Sequence, residues 1–144
     1  MSDLSSVEIL IVEDNPNDLE LTQRALHDVN LANRIRVARD GEEALAFLFG
    51  ENATSTPRLV LLDLNVPKIS GLEVLQRMKS DPRTRGIPVV VLTSSDDMSH
   101  MEKCYDLGVN SYIVKPVAFE RFATAVQNLG LYWLILNEPP LLQS

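Results

Sequence analysis

Five polar side chains stand directly after short strand-like runs. Glu13 and Asp14 follow Val7–Val12, Asp63 follows Leu59–Leu62, Thr93 follows Ile87–Leu92, and Lys115 follows Ser111–Val114. Carboxylates gathered in one place repel, and each raises the pKa of the next. A hard divalent cation relieves that repulsion, and Mg2+ suits a few oxygen ligands with retained waters. Lys115 adds a second positive charge and Thr93 a hydroxyl donor. Such a set fits a carboxylate nucleophile, Asp63, that takes a phosphoryl group. The cation and the ammonium would then neutralise charge on the equatorial oxygens of the transferring group.

Each residue also has a plainer reading. Asp63 could be a turn residue, and Glu13 with Asp14 could favour a helix start through its dipole. Thr93 could cap the helix that follows it, and Lys115 could be a solvated loop lysine. One pocket accounts for all of them, provided the chain brings the run ends together.

The runs themselves say how. Leu59–Leu62 and Ile87–Leu92 run without alternation, as in strands covered on both faces of a parallel sheet. Arg34–Arg39 alternates basic with apolar, as an edge strand does. Asn15-Pro16 opens a helix with Leu19, Thr22, Leu26 and Val29 on one side. Asp40–Glu43 and Ser70–Glu73 read as capping boxes of two further helices. Asp81-Pro82 stops the second of these. A fourth helix, about Met98 to Leu107, ends at Gly108, a left-handed cap. Phe119, Phe122, Val126 and Leu129 mark a fifth. Five strands alternating with five helices predict an α/β fold, a doubly wound parallel sheet. In open sheets of this kind ligands bind beyond the carboxyl ends of the strands. With strand order 2-1-3-4-5 the five side chains converge there.

Composition narrows the function classes. At 144 residues with 45% apolar content, one domain with a real core is expected. Acids exceed bases by 20 to 13, giving a net charge of −7, which disfavours a broad nucleic-acid surface. Cys104 is the single cysteine, so no internal disulfide forms and a cytoplasmic location is expected. No leader or membrane span is expected from the apolar runs, which are too short.

At these residues the chain resembles the receiver domain of bacterial two-component response regulators, a flavodoxin-like fold of five α/β units. The resemblance lies in Ile-Val-Glu13-Asp14, Leu-Leu-Asp63-Leu-Asn65-Val-Pro67, Leu-Thr93-Ser94 and Tyr112-Ile-Val-Lys115-Pro116, and covers residues 7 to about 129. It implies that Asp63 accepts phosphate from a histidine kinase. It implies Mg2+ ligation by Asp14, Asp63 and the Asn65 carbonyl, with Glu13 acting largely through a bound water. Lys115 would pair with the phosphate. Thr93 would turn to the phosphoryl oxygen and Tyr112 would move inward behind it, reshaping the face of the fourth helix, fifth strand and fifth helix. The side chains of Asn65 and Ser95 sit where family members tune dephosphorylation. Beyond its own phosphorylation and dephosphorylation, no enzymatic activity is implied.

The expected organisation is one receiver domain over 1–136, with an extended last helix, and a C-terminal tail over 137–144. No effector domain is expected to follow, and output is expected through a protein contact. Phe119, Phe122, Val126, Leu129, Trp133 and Leu136 form a near-heptad stripe. Leu131, Tyr132, Leu134 and Ile135 are then candidates for a partner surface; folding back on the domain is the alternative. The segment Tyr132–Pro140 is similar to the ending of small response regulators paired with bacterial and cyanobacterial phytochromes. That likeness implies a phytochrome-type kinase and a homodimer through the last helix and the face just named. Two competing functions stand beside this one. A haloacid-dehalogenase-type phosphatase also uses an aspartate after a strand, but carries a second acid two residues on, where this chain has Asn65. A phosphate-independent scaffold is the other.

Overall fold

The computed structural model describes residues 9–28, 35–50, 56–94, 98–115, 120, 121 and 124. Five strands, β1 (Ile9–Val12), β2 (Ile35–Ala38), β3 (Leu59–Asp63), β4 (Val89–Thr93) and β5 (Ser111–Val114), alternate with helices. These are α1 (Pro16–Asp28), α2 (Gly41–Phe49), α3 (Gly71–Ser80) and α4 (Met98–Asp106). Every strand pair is parallel and the order is β2-β1-β3-β4-β5, as expected. The expected strand residues Val7 and Glu8 lie outside the described residues, as do Val29, Ser95, the stripe from Phe119 to Leu136 and the boundary at 136/137. No helix among the described residues is long and apolar enough to cross a membrane.

The unbroken apolar runs are the central strands, and every residue of β3 and β4 is buried. The edge strand β2 leaves Arg36 exposed. Because strand side chains alternate, each strand feeds two cores. Ile9, Ile11, Leu59, Leu61, Val90 and Leu92 meet Leu19, Ala25 and Leu26 of α1. Leu10, Val12, Val60, Leu62, Val89 and Val91 meet the apolar faces of α2, α3 and α4. Each such side chain, fully buried, contributes roughly 1.5–3 kcal/mol.

Local chemistry sets the helix ends. Asn15 Oδ1 accepts from the Asp18 N–H at 3.0 Å, and Asp40 Oδ1 from the Glu43 N–H at 2.7 Å. Glu43 reaches back to the Arg39 N–H, one residue before the cap. The Ser70–Glu73 box forms only by half. Ser70 Oγ accepts from the Glu73 N–H at 3.2 Å, but the Glu73 carboxylate turns outward to Arg77 at 2.7 Å. An arginine four residues on competes with the helix's own start. Gly108, at φ 93°, ends α4 as expected. Its N–H donates to the Tyr105 carbonyl and that of Val109 to the Cys104 carbonyl, the paired bonds of a Schellman turn. The turn aims the chain into β5.

Candidate functional site

Strand register and alternation build the site. Val12 pairs with Leu62, so Glu13 and Asp63 leave β1 and β3 at one level. Asp63 pairs with Leu92 and Leu92 with Ile113, so Lys115 stands two residues further along β5, and its long side chain reaches back to them. All three continue the alternation that faces α1, following Ile11, Leu61 and Ile113 by two residues. Thr93 and Tyr112 continue the opposite alternation, with Val91 and Val89, toward α2, α3 and α4. The residues expected to meet at one rim therefore do so on its two sides.

On the α1 side the Lys115 ammonium lies among carboxylates. Its Nζ is 2.7 Å from Glu13 Oε1, 2.9 Å from Asp63 Oδ2 and 2.9 Å from Asp18 Oδ2. Asp63 is held at its other oxygen, where Oδ1 accepts from the Asn65 N–H at 3.0 Å. Glu13 Oε2 accepts from the Asn15 N–H at 3.2 Å. Its Oε1 is buried, and the approach of Lys115 is a charge contact that leaves this oxygen without an aligned donor. Burial pushes the Glu13 carboxyl up to about 7; Lys115 opposes the rise and the Asp63 carboxylate adds to it. Burial would lower the Lys115 ammonium, but its contacts with Glu13, Asp18 and Asp63 outweigh that and raise it above the ordinary lysine range.

Asp14 is exposed, whereas Glu13 and Asp63 are buried. Each of the three offers an oxygen, and these oxygens lie within 4.8 Å of one another. An all-oxygen donor set of this spacing, including a buried acceptor with no aligned donor, fits a hard divalent cation.

The loop after β3 is tightly held. Gly71 N–H donates to the Leu64 carbonyl at 3.1 Å and Gly41 N–H to the Pro67 carbonyl at 3.2 Å. A Cβ on Gly71 would strike the Asp63 carbonyl and the Leu64 Cα, and one on Gly41 the Ile69 carbonyl. Between these clamps Lys68 adopts φ 70°, a left-handed conformation costing about 1–2 kcal/mol for a residue with a Cβ. The clamps fix Asn65 beside Asp63.

On the far side of the rim Thr93 is buried and lines a cavity of about 200 Å³ with Leu64, Asn65, Ser70, Leu72, Lys103 and Cys104. Tyr112, half-buried on β5, pairs in register with Val91 and packs on the same side. The Lys115 N–H donates to the Thr93 carbonyl at 2.7 Å, tying the two sides together. Asp18 is the site residue that sequence pattern did not single out. Its type and place mark the first turn of a helix. The available signal was its place three residues after the Asn15 cap, in the first turn of the helix that directly follows the carboxyl end of β1.

A 2-1-3-4-5 parallel sheet with an acidic cluster and a buried lysine at its carboxyl rim is the framework of a signalling receiver. The chain belongs to the response regulator receiver domain family, whose pattern matches residues 9–127. Response regulator Rcp1 of Synechocystis sp. is 40% identical over 129 residues, 88% of each chain. A probable methanogenesis regulatory protein, FilR2, of Methanothrix harundinacea is 42% identical over 134 residues, 92% of this chain and 86% of its own. The solved bacteriophytochrome response regulator RtBRR is 49% identical, with a TM-score of 0.81 over 93% of this chain and 84% of that one. The Mn2+-bound form of Rcp1 superposes with a TM-score of 0.74 at 38% identity, over 94% of this chain and 99% of that one.

Proposed function

We propose that the protein is a phosphorylatable switch in which Asp63 accepts a phosphoryl group from a histidine kinase with Mg2+ present. The observation that carries this reading is the Asp63 carboxylate itself. It is buried at the end of the central strand, between the Asn65 N–H and the Lys115 ammonium, with Glu13 and Asp14 alongside. An Asp63 oxygen attacks phosphorus, an O–P bond forms as the N–P bond to the donor imidazole breaks, and the imidazole takes up a proton. Lys115 moves one of its donors to the phosphoryl oxygens. Glu13, Asp14, Asp63 and the Asn65 carbonyl would hold the cation, which supplies neutralisation of the equatorial charge.

Output follows from the other side of the rim. The Thr93 hydroxyl bonds a phosphoryl oxygen, Tyr112 moves in behind it, and the surface of α4, β5 and the segment after Lys115 changes. Residues 1–136 act as a single receiver with an extended last helix, 137–144 as a tail, and the same surface pairs two copies. Likeness to the bacteriophytochrome response regulator RtBRR supports a phytochrome-type kinase as partner.

Incubation with acetyl phosphate and Mg2+, followed by intact-mass measurement, tests the reading. One phosphoryl group per chain is expected, and none on Asp63→Asn. Label persisting on that variant would mean a different acceptor, and turnover of many phosphomonoesters would mean a phosphatase. Unchanged signalling by Asp63→Asn in cells would mean a scaffold.

A further inference from the structure

Three carboxylates surround Lys115, and only two of them belong to the acidic cluster that fits a cation. Glu13 and Asp63 share that cluster with Asp14. Asp18 stands outside it, yet its Oδ2 lies as close to Lys115 Nζ as Asp63 does, at 2.9 Å. It reaches the ammonium from the first turn of α1, 97 residues away in sequence. The Asn15 cap fixes that turn by accepting from the Asp18 N–H.

We infer that Asp18 is a positioning residue that anchors and neutralises the Lys115 ammonium, tilting the resting site toward a cation and away from a phosphoryl group. The inference rests on the reading of Asp63 as phosphoryl acceptor. An ammonium has three donors; Asp18 and Asp63 take two of them and Glu13 lies against the same nitrogen as a charge contact. A phosphoryl oxygen therefore gains Lys115 against the pull of three carboxylates. A cation draws on Glu13 and Asp63 but leaves Asp18 to Lys115. The negative charge of Asp18 lies one ammonium away from Asp63, close enough to favour a cation there and to oppose a dianion. These two effects have opposite signs because the two ligands have opposite charges. A side chain that merely supported the fold would, on removal, weaken both. Asp18 is 31% exposed, so solvent screening limits each effect to roughly three- to tenfold.

The test is calorimetric binding of Mg2+ to the full chain, then of beryllofluoride, a phosphoryl mimic, at saturating Mg2+. Asp18→Asn, close in shape and still able to accept a hydrogen bond, is expected to bind Mg2+ roughly three- to tenfold more weakly. It should bind beryllofluoride tighter by a similar factor. Asp18→Glu, which restores the charge, should bring both back toward wild type, and thermal midpoints check that each variant is folded. Shifts of the same sign, or no shift in either, overturn the inference. A wild-type protein that takes neither beryllofluoride nor phosphate from acetyl phosphate refutes the acceptor reading instead; an unchanged Mg2+ affinity in Asp18→Asn would still refute the role of Asp18.

Discussion

Lys115 Nζ lies 2.9 Å from Asp63 Oδ2, and the side chains of both are more than nine-tenths buried. Glu13 and Asp18 close around the same nitrogen. The lysine is thus the side-chain cation that offsets the repulsion among these three carboxylates. Replacing it while keeping most of its volume, Lys115→Met, leaves three carboxylates facing one another. Breaking a buried pair in this way costs about 3 kcal/mol or more, so the metal-free variant should unfold at clearly lower urea than wild type. Mg2+ should recover a larger share of stability in the variant than in wild type. Equal midpoints with and without Mg2+ in the variant would contradict this role.

Glu13 makes that balance depend on pH. Burial, with the Asp63 carboxylate, raises its folded pKa to about 7 from an ordinary value of 4.5, against the opposing pull of Lys115. The folded state therefore binds more protons than the unfolded one between these values, and stability falls as pH rises. The contribution of this group is fully present below 4.5 and is lost as pH rises through about 7. Metal binding runs the other way, because proton and cation compete for one carboxylate. Mg2+ affinity should climb by up to about tenfold per pH unit below 7 and level off above it. Calorimetry across that range checks it, and Glu13→Gln should flatten the curve. An identical slope in Glu13→Gln would assign the proton to another group.

The order of elements was legible because Leu59–Leu62 and Val89–Leu92 state their two-sided burial in composition alone. Glu13, Asp63 and Lys115 were legible for a related reason. In a parallel sheet every strand ends at the same rim, so chemistry placed after apolar runs must gather. What a one-dimensional pattern does not carry is which face each side chain takes at that rim. That depends on alternation counted through register, and it separates Thr93 and Tyr112 from the lysine cluster. Asp18 was hidden because its helix-start role explained it locally. Glu73 turned to Arg77 because two partners at helical spacing compete, and spacing alone does not rank them. The left-handed Lys68 follows from clamps at Gly41 and Gly71 that only the folded loop reveals.

Those clamps make a prediction about the acceptor. A methyl group on Gly71 meets the Asp63 carbonyl and the Leu64 backbone, which have no room to withdraw from the sheet. Overpacking of this kind costs about 1–3 kcal/mol, and here it also moves the loop that carries Asn65. Gly71→Ala should lose that stability and accept phosphate from acetyl phosphate more slowly. Gly86→Ala is the control, since a Cβ there meets nothing within 4 Å. Equal phosphorylation rates in the two variants would separate the loop from the chemistry.

The proposed dimer would draw on residues beyond Leu129. Leu131, Tyr132, Trp133, Leu134, Ile135 and Leu136 put six large apolar side chains in one run, more than a surface segment keeps in water without a partner. If that partner is a second copy, removing residues 130–144 should leave the parallel sheet intact while self-association falls. Sedimentation at increasing protein concentration measures it, with circular dichroism as the check on folding. A truncated chain that sediments as a dimer with wild-type affinity would move the interface away from the last helix. Release of a monomer that still takes phosphate on Asp63 would show that acceptor chemistry belongs to the sheet rim alone and that pairing lies downstream of it.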